Sequence, residues 1–287
     1  MLFARVVPYI FLGWVLTKLK FAGAETLVKH FINFALYILI PLFTFFMMWA
    51  VPVSASLGNT RNVVIAVLVV FFAGVLFSVV HSKIFNESYR AVALPIIFMN
   101  TAYLAIPLNT IFFGQDGTYY SVVYNIVLTI LTFTYGIWLV AGTVKEVFRV
   151  PVLYFAVLGV VLSSAGIKLS EGLIGFSRVL NAVTMPIMLC LVGYQLRTVK
   201  MSMLKKTAAG VFMRMFGGLA VAYLFCIVFS VTGIVRDVCL LSSAMPSAIL
   251  AYILNKKYDA DYSFASSMIT VGMFVTIIIV PVILWLR

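Results

Sequence analysis

Short polar interruptions cut this 287-residue chain into ten apolar runs, at 3–17, 31–50, 62–80, 91–113, 119–142, 151–166, 173–196, 207–230, 238–254 and 263–286. A helix needs about 20 mostly apolar residues to cross a bilayer. Within hydrocarbon, a single segment meets all its own backbone hydrogen bonds only as a helix. The runs therefore predict an all-α polytopic membrane protein of ten transmembrane helices. Charge points the same way: 10% of the residues are charged, against about 25% in an ordinary soluble domain. So few charges cannot cover a water-soluble globule of this size, and the runs leave no room for a separate soluble domain.

The net charge of +12 does not mark a nucleic-acid binder, because the basic residues stand singly or in pairs between the runs and form no stripe. They act instead as orientation signals. Fourteen fall in one set of alternate loops or at the helix ends beside them, and six fall in the other. The richer set belongs on the cytoplasmic side, which puts both termini outside and requires an even number of spans. Cys190, Cys226 and Cys239 all lie inside apolar runs, as small buried residues and not as a disulfide framework or metal site. No small-residue cleavage site follows the first apolar stretch before Lys18 and Lys20, so that span is expected to be retained.

The prolines recur. Pro8, Pro41 and Pro107 in the first half are matched by Pro151, Pro186 and Pro246 in the second, at offsets of 143, 145 and 139 residues. With five spans per half, the second half must enter the membrane from the opposite side. The division is thus a first repeat over 1–142, a short cytoplasmic link over 143–150, and a second, inverted repeat over 151–287. Inverted repeats are typical of secondary transporters, in which one fold has two pseudo-equivalent shapes open to opposite sides.

Pro107 and Pro246 fall near the middle of the fourth and ninth runs, among small or hydrogen-bonding residues: Asn100, Thr101 and Asn109 near the first, Ser242, Ser243 and Ser247 near the second. A mid-helix proline withholds an amide hydrogen and clashes with the carbonyl one turn back. In lipid, such a break survives only where protein or water covers it. Two breaks at matching repeat positions predict crossover helices, each starting a half-helix whose amide end favours an anion. One isolated proline would read as an ordinary kink.

Two stretches carry a resemblance. Asn100-Thr101 followed by Ala105-Ile106-Pro107-Leu108 is one. The other is Ala244-Met245-Pro246-Ser247-Ala248-Ile249, then Lys257-Tyr258-Asp259, Gly272-Met273 and Pro281. With the ten-span layout, the chain resembles the auxin efflux carrier family along essentially its whole length, including plant auxin carriers and bacterial malonate or malate permeases. The resemblance implies an elevator-type transporter, similar in fold to the bile-acid sodium symporters. Spans one, two, six and seven would form a scaffold, and spans three to five and eight to ten a moving transport domain. It implies a small organic anion as cargo, generally a carboxylate, with Asn100 at the substrate site. The chain is expected in a bacterial cytoplasmic membrane, with substrate and lipid as partners, no nucleic acid, and room for a homodimer through the scaffold helices; because the acids and histidines are peripheral, no enzymatic activity is expected. Tyr103 departs from the glycine-containing text common before that proline, and its bulk would narrow the pocket.

The candidate substrate-binding residues are Asn100, Thr101, Tyr103, Pro107, Tyr124, Asn125, Ser243, Pro246 and Ser247. Tyr124 and Asn125 are equally well read as helix–helix hydrogen bonds, worth about 0.6–2 kcal/mol. Ser266, Ser267, Thr270, Gly217 and Gly218 are read as close-packing residues. All eight acids fall in loops or at helix ends, so no intramembrane carboxylate is evident to couple transport to protons or sodium. His81 and His30 are expected at the cytoplasmic interface. Arg214, the one charge well inside a run, is expected to snorkel toward the cytoplasm more than to touch substrate. No cofactor is expected, and carbonyls freed at the breaks leave sodium coupling open. A sodium-coupled bile-acid-type symporter is therefore the alternative reading.

Overall fold

The structure, a computed structural model, describes residues 2–16, 33–50, 57–143, 151–195 and 203–285, with positions 26, 30, 31, 145 and 148 between them. In chain order its α-helices are α1 (Leu2–Leu16), α2 (Ile40–Trp49), α3 (Leu57–Phe85), α4 (Tyr89–Ile97), α5 (Ile106–Leu131), α6 (Ile137–Ala141) and α7 (Pro151–Ser164). There follow α8 (Glu171–Gln195), α9 (Leu204–Val211), α10 (Gly218–Val228), α11 (Gly233–Ser243), α12 (Ile249–Lys257) and α13 (Tyr262–Trp285). Wider π turns at Ala35–Leu39, Thr101–Ala105, Thr132–Gly136 and Phe212–Gly217 lead directly into α2, α5, α6 and α10. Among the described residues there is no strand, only one isolated antiparallel bridge between Met99 and Ser247.

Four helical passages are long and apolar enough to cross a membrane: Gly58–Phe85, Asp116–Ala141, Leu204–Val228 and Tyr262–Trp285. The chain is thus an all-helical, polytopic membrane protein. Helix α3 shows why water is excluded as its solvent. Its buried residues, Val63, Ala66, Val67, Val70, Phe71 and Ser78, follow the three- and four-residue spacing of one helix face. The opposite face leaves Phe72 65% and Leu76 60% exposed. Together with Phe274, Ile278 and Val228, all at least 68% exposed, they make an apolar exterior that only lipid tolerates.

The chain divides into two compact units, one of Met1–Ala55 with Phe133–Arg197, the other of Ser56–Thr132 with Thr198–Arg287. In the first, α1 and α8 approach so closely that a Cβ on Gly13 would meet Cys190 Cα at 2.9 Å. Gly159 of α7 similarly admits α2, where a Cβ would stand 2.6 Å from Phe45 O. Phe45, Phe46 and Trp49 on α2 meet one another and Phe155 and Phe176 mostly edge to face, and Trp49 Nε1 donates to Ile167 O at 2.6 Å.

In the second unit, α4 and α11 both stop short in buried protein. Residues 98–100 and 244–248 are non-helical, and helix resumes at Thr101 and Ile249. The interruption near Pro246 falls where the sequence predicts it. The one in the fourth run does not: it lies seven residues before Pro107, which occupies the second position of α5. Proline supplies no amide hydrogen, and the backbone answers with the π turn just before it. The same arrangement recurs at Ala35–Leu39, where a π turn runs into Ile40-Pro41. The passage from Thr101 also bends at Gly114, whose φ of 67° and ψ of −150° suit glycine and separate it from the next span at Asp116. Most of the 143–150 link, and several of the loop lysines that set orientation, lie outside the described residues.

Candidate functional site

The two interruptions in the second unit pair with each other. Asn100 N donates to Pro246 O at 2.8 Å and Ala248 N to Phe98 O at 2.9 Å, on either side of the Met99–Ser247 bridge. Backbone groups that a continuous helix would have satisfied internally are here satisfied across the crossing, as an apolar interior requires. Around this short ladder four half-helices meet: α4 and α11 end there, and the passages from Thr101 and Ile249 begin there.

Eight of the nine sequence candidates take part in the hydrogen bonds of this crossing. The Asn100 side chain, 4% exposed, accepts from Tyr103 N at 3.3 Å and caps the new helix. Thr101 Oγ1 donates to Asn125 Oδ1 at 2.7 Å. The Tyr124 hydroxyl shares a 2.9 Å hydrogen bond with Ser243 Oγ and lies 3.3 Å from Met99 Sδ. Ser247 Oγ donates to Pro95 O at 2.5 Å. Tyr103 is half-buried on the first turn after Asn100, and Pro246 is buried at the centre of its interruption. Pro107 stands apart, beyond the π turn. The polar groups are neutral, and among the described residues no cluster of His, Cys, Asp or Glu could hold a metal ion.

Two residues outside the candidate set, Asn109 and Arg214, bond directly to the helices of the crossing. Asn109, fully buried, donates from Nδ2 toward Ala105 O (2.9 Å), Ser121 Oγ (2.9 Å) and Ser242 Oγ (3.1 Å). Arg214 does not snorkel: it is 1% exposed, and its guanidinium donates to Ile97 O (2.8 Å), Ile96 O (3.2 Å) and Ser243 O (2.9 Å). Packing against α4 and α11 covers the face of the helix that would otherwise lead to water. His81, near the end of α3, is covered by protein. It is fully buried, its ring lies 4.7 Å from Phe85 and 5.2 Å from Phe264, and Nε2 is 2.8 Å from Lys206 O. Asp237, read from sequence as terminal, is 5% exposed inside α11 and pairs with Arg236 at 3.1 Å.

The packing residues behave as the sequence suggests. Ser267 and Thr270 bond back to the carbonyls of Ser263 and Ser266 one turn earlier. A Cβ on Gly217 would meet Phe77 at 2.7 Å, and one on Gly218 would meet Ser243 O at 2.6 Å.

An all-helical membrane protein whose interrupted helices meet in a polar, buried crossing is built in the manner of a membrane transporter. Comparison with known proteins agrees. Residues 139–284, half of the chain, match the family model described as membrane transport protein. The chain belongs to this family, the auxin efflux carriers, and its role is membrane transport. It is similar to an uncharacterized transporter of Methanocaldococcus jannaschii, with 24% identity over 272 residues and 88% of each chain covered.

Proposed function

We propose that this transporter carries small organic anions, carboxylates of the malonate, malate or auxin-like kind, with the carboxylate held at the crossing of the fourth and ninth spans. The observation that carries the reading is the paired interruption at 98–100 and 244–248. It turns the amide ends of two half-helices into buried protein beside Asn100, Thr101 and Ser247. Helix amide ends in a low-dielectric site favour an anion. Arg214 adds a buried positive charge beside the same crossing. Asn100, Thr101, Tyr103, Asn125 and Ser247 orient the cargo, while Tyr124 and Ser243 brace the wall behind it.

In this reading the chain has ten spans in two inverted repeats and works as an elevator. Its division into a unit of the first, second, sixth and seventh helical passages with the end of the fifth, and a unit of the rest, supports a scaffold and a moving domain. Both termini lie outside a bacterial-type cytoplasmic membrane, and the scaffold helices could join two copies. An anion carried without a coupling ion would leave a negative-inside cell by preference.

The test is thermal unfolding of the purified full chain against malonate, malate and indole-3-acetate, followed by uptake into proteoliposomes. At least one carboxylate should raise the midpoint in a saturable way, and Asn100→Ala should abolish that shift and the matching transport. If no carboxylate stabilises the protein, or Asn100→Ala binds and transports as well as the parent, the site is misassigned. Stabilisation seen only with sodium present would favour a sodium-coupled, bile-acid-type symporter.

A further inference from the structure

The charge of Arg214 has no partner of opposite sign, since it makes no ion pair among the described residues. A buried, isolated cation is costly, so something else must stabilise it. Its contacts supply the answer. Ile96 and Ile97 are the last two residues of α4, and Ser243 is the last residue of α11. Arg214 thus donates to the terminal carbonyls of both helices that end at the crossing. These are carbonyls left without an intrahelical partner. Each helix C-terminus carries roughly half an elementary negative charge. Two converging ends therefore present about one negative charge, which one guanidinium balances.

Transporters with interrupted helices commonly use such ends and unwound carbonyls to coordinate a soluble sodium ion. Here the carbonyls are already engaged by a side chain that stays charged at any physiological pH. The π turn at Phe212–Gly217 carries Arg214, and Gly218 next to that turn lets the helix backbone close on Ser243 O. Both features deliver the guanidinium to the carbonyls.

We propose that Arg214 is a tethered cation standing in for a soluble coupling ion: it joins the C-terminal ends of α4 and α11 and makes the crossing independent of sodium. The proposal rests on reading the crossing as the transport site, and it assigns Arg214 a positioning role without contact with cargo.

The test needs no substrate. Thermal midpoints of the detergent-purified full chain are compared in sodium, lithium and choline chloride at equal ionic strength, with and without guanidinium at sub-denaturing concentration. The parent should show no saturable difference between sodium and choline. Arg214→Ala should unfold about 5–10 °C lower, because three buried carbonyls lose their donor. It should recover part of that loss with sodium, lithium or guanidinium, a response the parent lacks. Arg214→Lys, which keeps the charge but not the planar fork, should fold with an intermediate midpoint and a weaker cation response, and it decides the matter if the alanine variant does not fold. A saturable sodium stabilisation of the parent overturns the proposal. So does a variant whose midpoint falls without any cation response, or one that matches the parent. Each outcome stands apart from the carboxylate reading, which the Asn100→Ala experiment tests alone.

Discussion

The side-chain amide of Asn109 has two hydrogens to donate and three acceptors within reach, on Ala105, Ser121 and Ser242. The two serine hydroxyls could meet either end of the amide, but the carbonyl of Ala105 can only accept, so it fixes which end is nitrogen. This makes Asn109→Asp a sharp probe of nearly unchanged shape. Ionised, the new side chain turns an acceptor toward an acceptor; protonated, it has one hydrogen where asparagine has two. Asn109→Asp should therefore destabilise by at least as much as Asn109→Leu, and each by about 1–2 kcal/mol, above the roughly 0.6 kcal/mol average for a bond between membrane helices. Denaturation in mixed micelles measures both, and an aspartate variant as stable as the parent would refute the assigned geometry. Asn100, Thr101 and Ser243 were legible in the sequence because polar residues beside a mid-run proline need partners in lipid. Asn109 stands beside Pro107 yet is not a sequence candidate, and Arg214 lies in the eighth run, away from both proline breaks. Their importance depends on which helix face another segment covers, and a run of apolar letters does not reveal that.

At the scale of elements, two glycines in helices are expected to respond to the same substitution with opposite signs. Alanine is favoured over glycine within a helix by roughly 1 kcal/mol, so Gly→Ala stabilises wherever space is open. Gly175 on α8 has nothing within 4 Å of an added Cβ, whereas at Gly218 that atom would sit 2.6 Å from Ser243 O. Backbone cannot step aside as a flexible side chain can. Gly175→Ala should hold or raise the thermal midpoint. Gly218→Ala should lower it, by about 1–3 kcal/mol as overpacking does, and should weaken the contact between Arg214 and Ser243. Equal effects at both sites would show that α10 and the end of α11 are not in close contact. The interrupted helices divide similarly into what the sequence carried and what it did not. Pro246 marks its break because the chain unwinds around it. Pro107 misplaces its break by seven residues, because a π turn absorbs the missing amide hydrogen and the unwinding moves to 98–100. A proline reports that a hydrogen bond is missing nearby, not where the backbone compensates.

At the scale of the molecule, the proposed inverted repeat would place matching loops of the two halves on opposite sides of the membrane, a relation separate from the basic-residue count. Shifting by the proline offset carries Lys168, between the sixth and seventh runs, onto position 25, between the first and second. In an inverted repeat those two loops face opposite sides. Loop charge would put the first of them outside and the second inside, the arrangement the proposed repeat requires. Four surface positions can test it after Cys190, Cys226 and Cys239 are replaced. Arg61, Lys83, Lys145 and Lys168 are all exposed, and each can carry a single cysteine. A membrane-impermeant maleimide applied to intact cells should label Arg61→Cys and Lys168→Cys, and should reach Lys83→Cys and Lys145→Cys only after permeabilisation. Labelling of all four in the reverse sense would keep the repeat and invert the orientation, showing that the fourteen-to-six bias of basic residues misleads here. Labelling of Arg61→Cys and Lys83→Cys from one side would mean that α3, the 29-residue helix that carries both, does not cross at all. At 1.5 Å per residue that helix is about 43 Å long, longer than the roughly 30 Å hydrocarbon core, and one whole face of it is apolar and exposed. Such a helix has nowhere to bury that face except lipid, so opposite-side labelling of its two ends is the outcome on which the membrane reading of the chain depends.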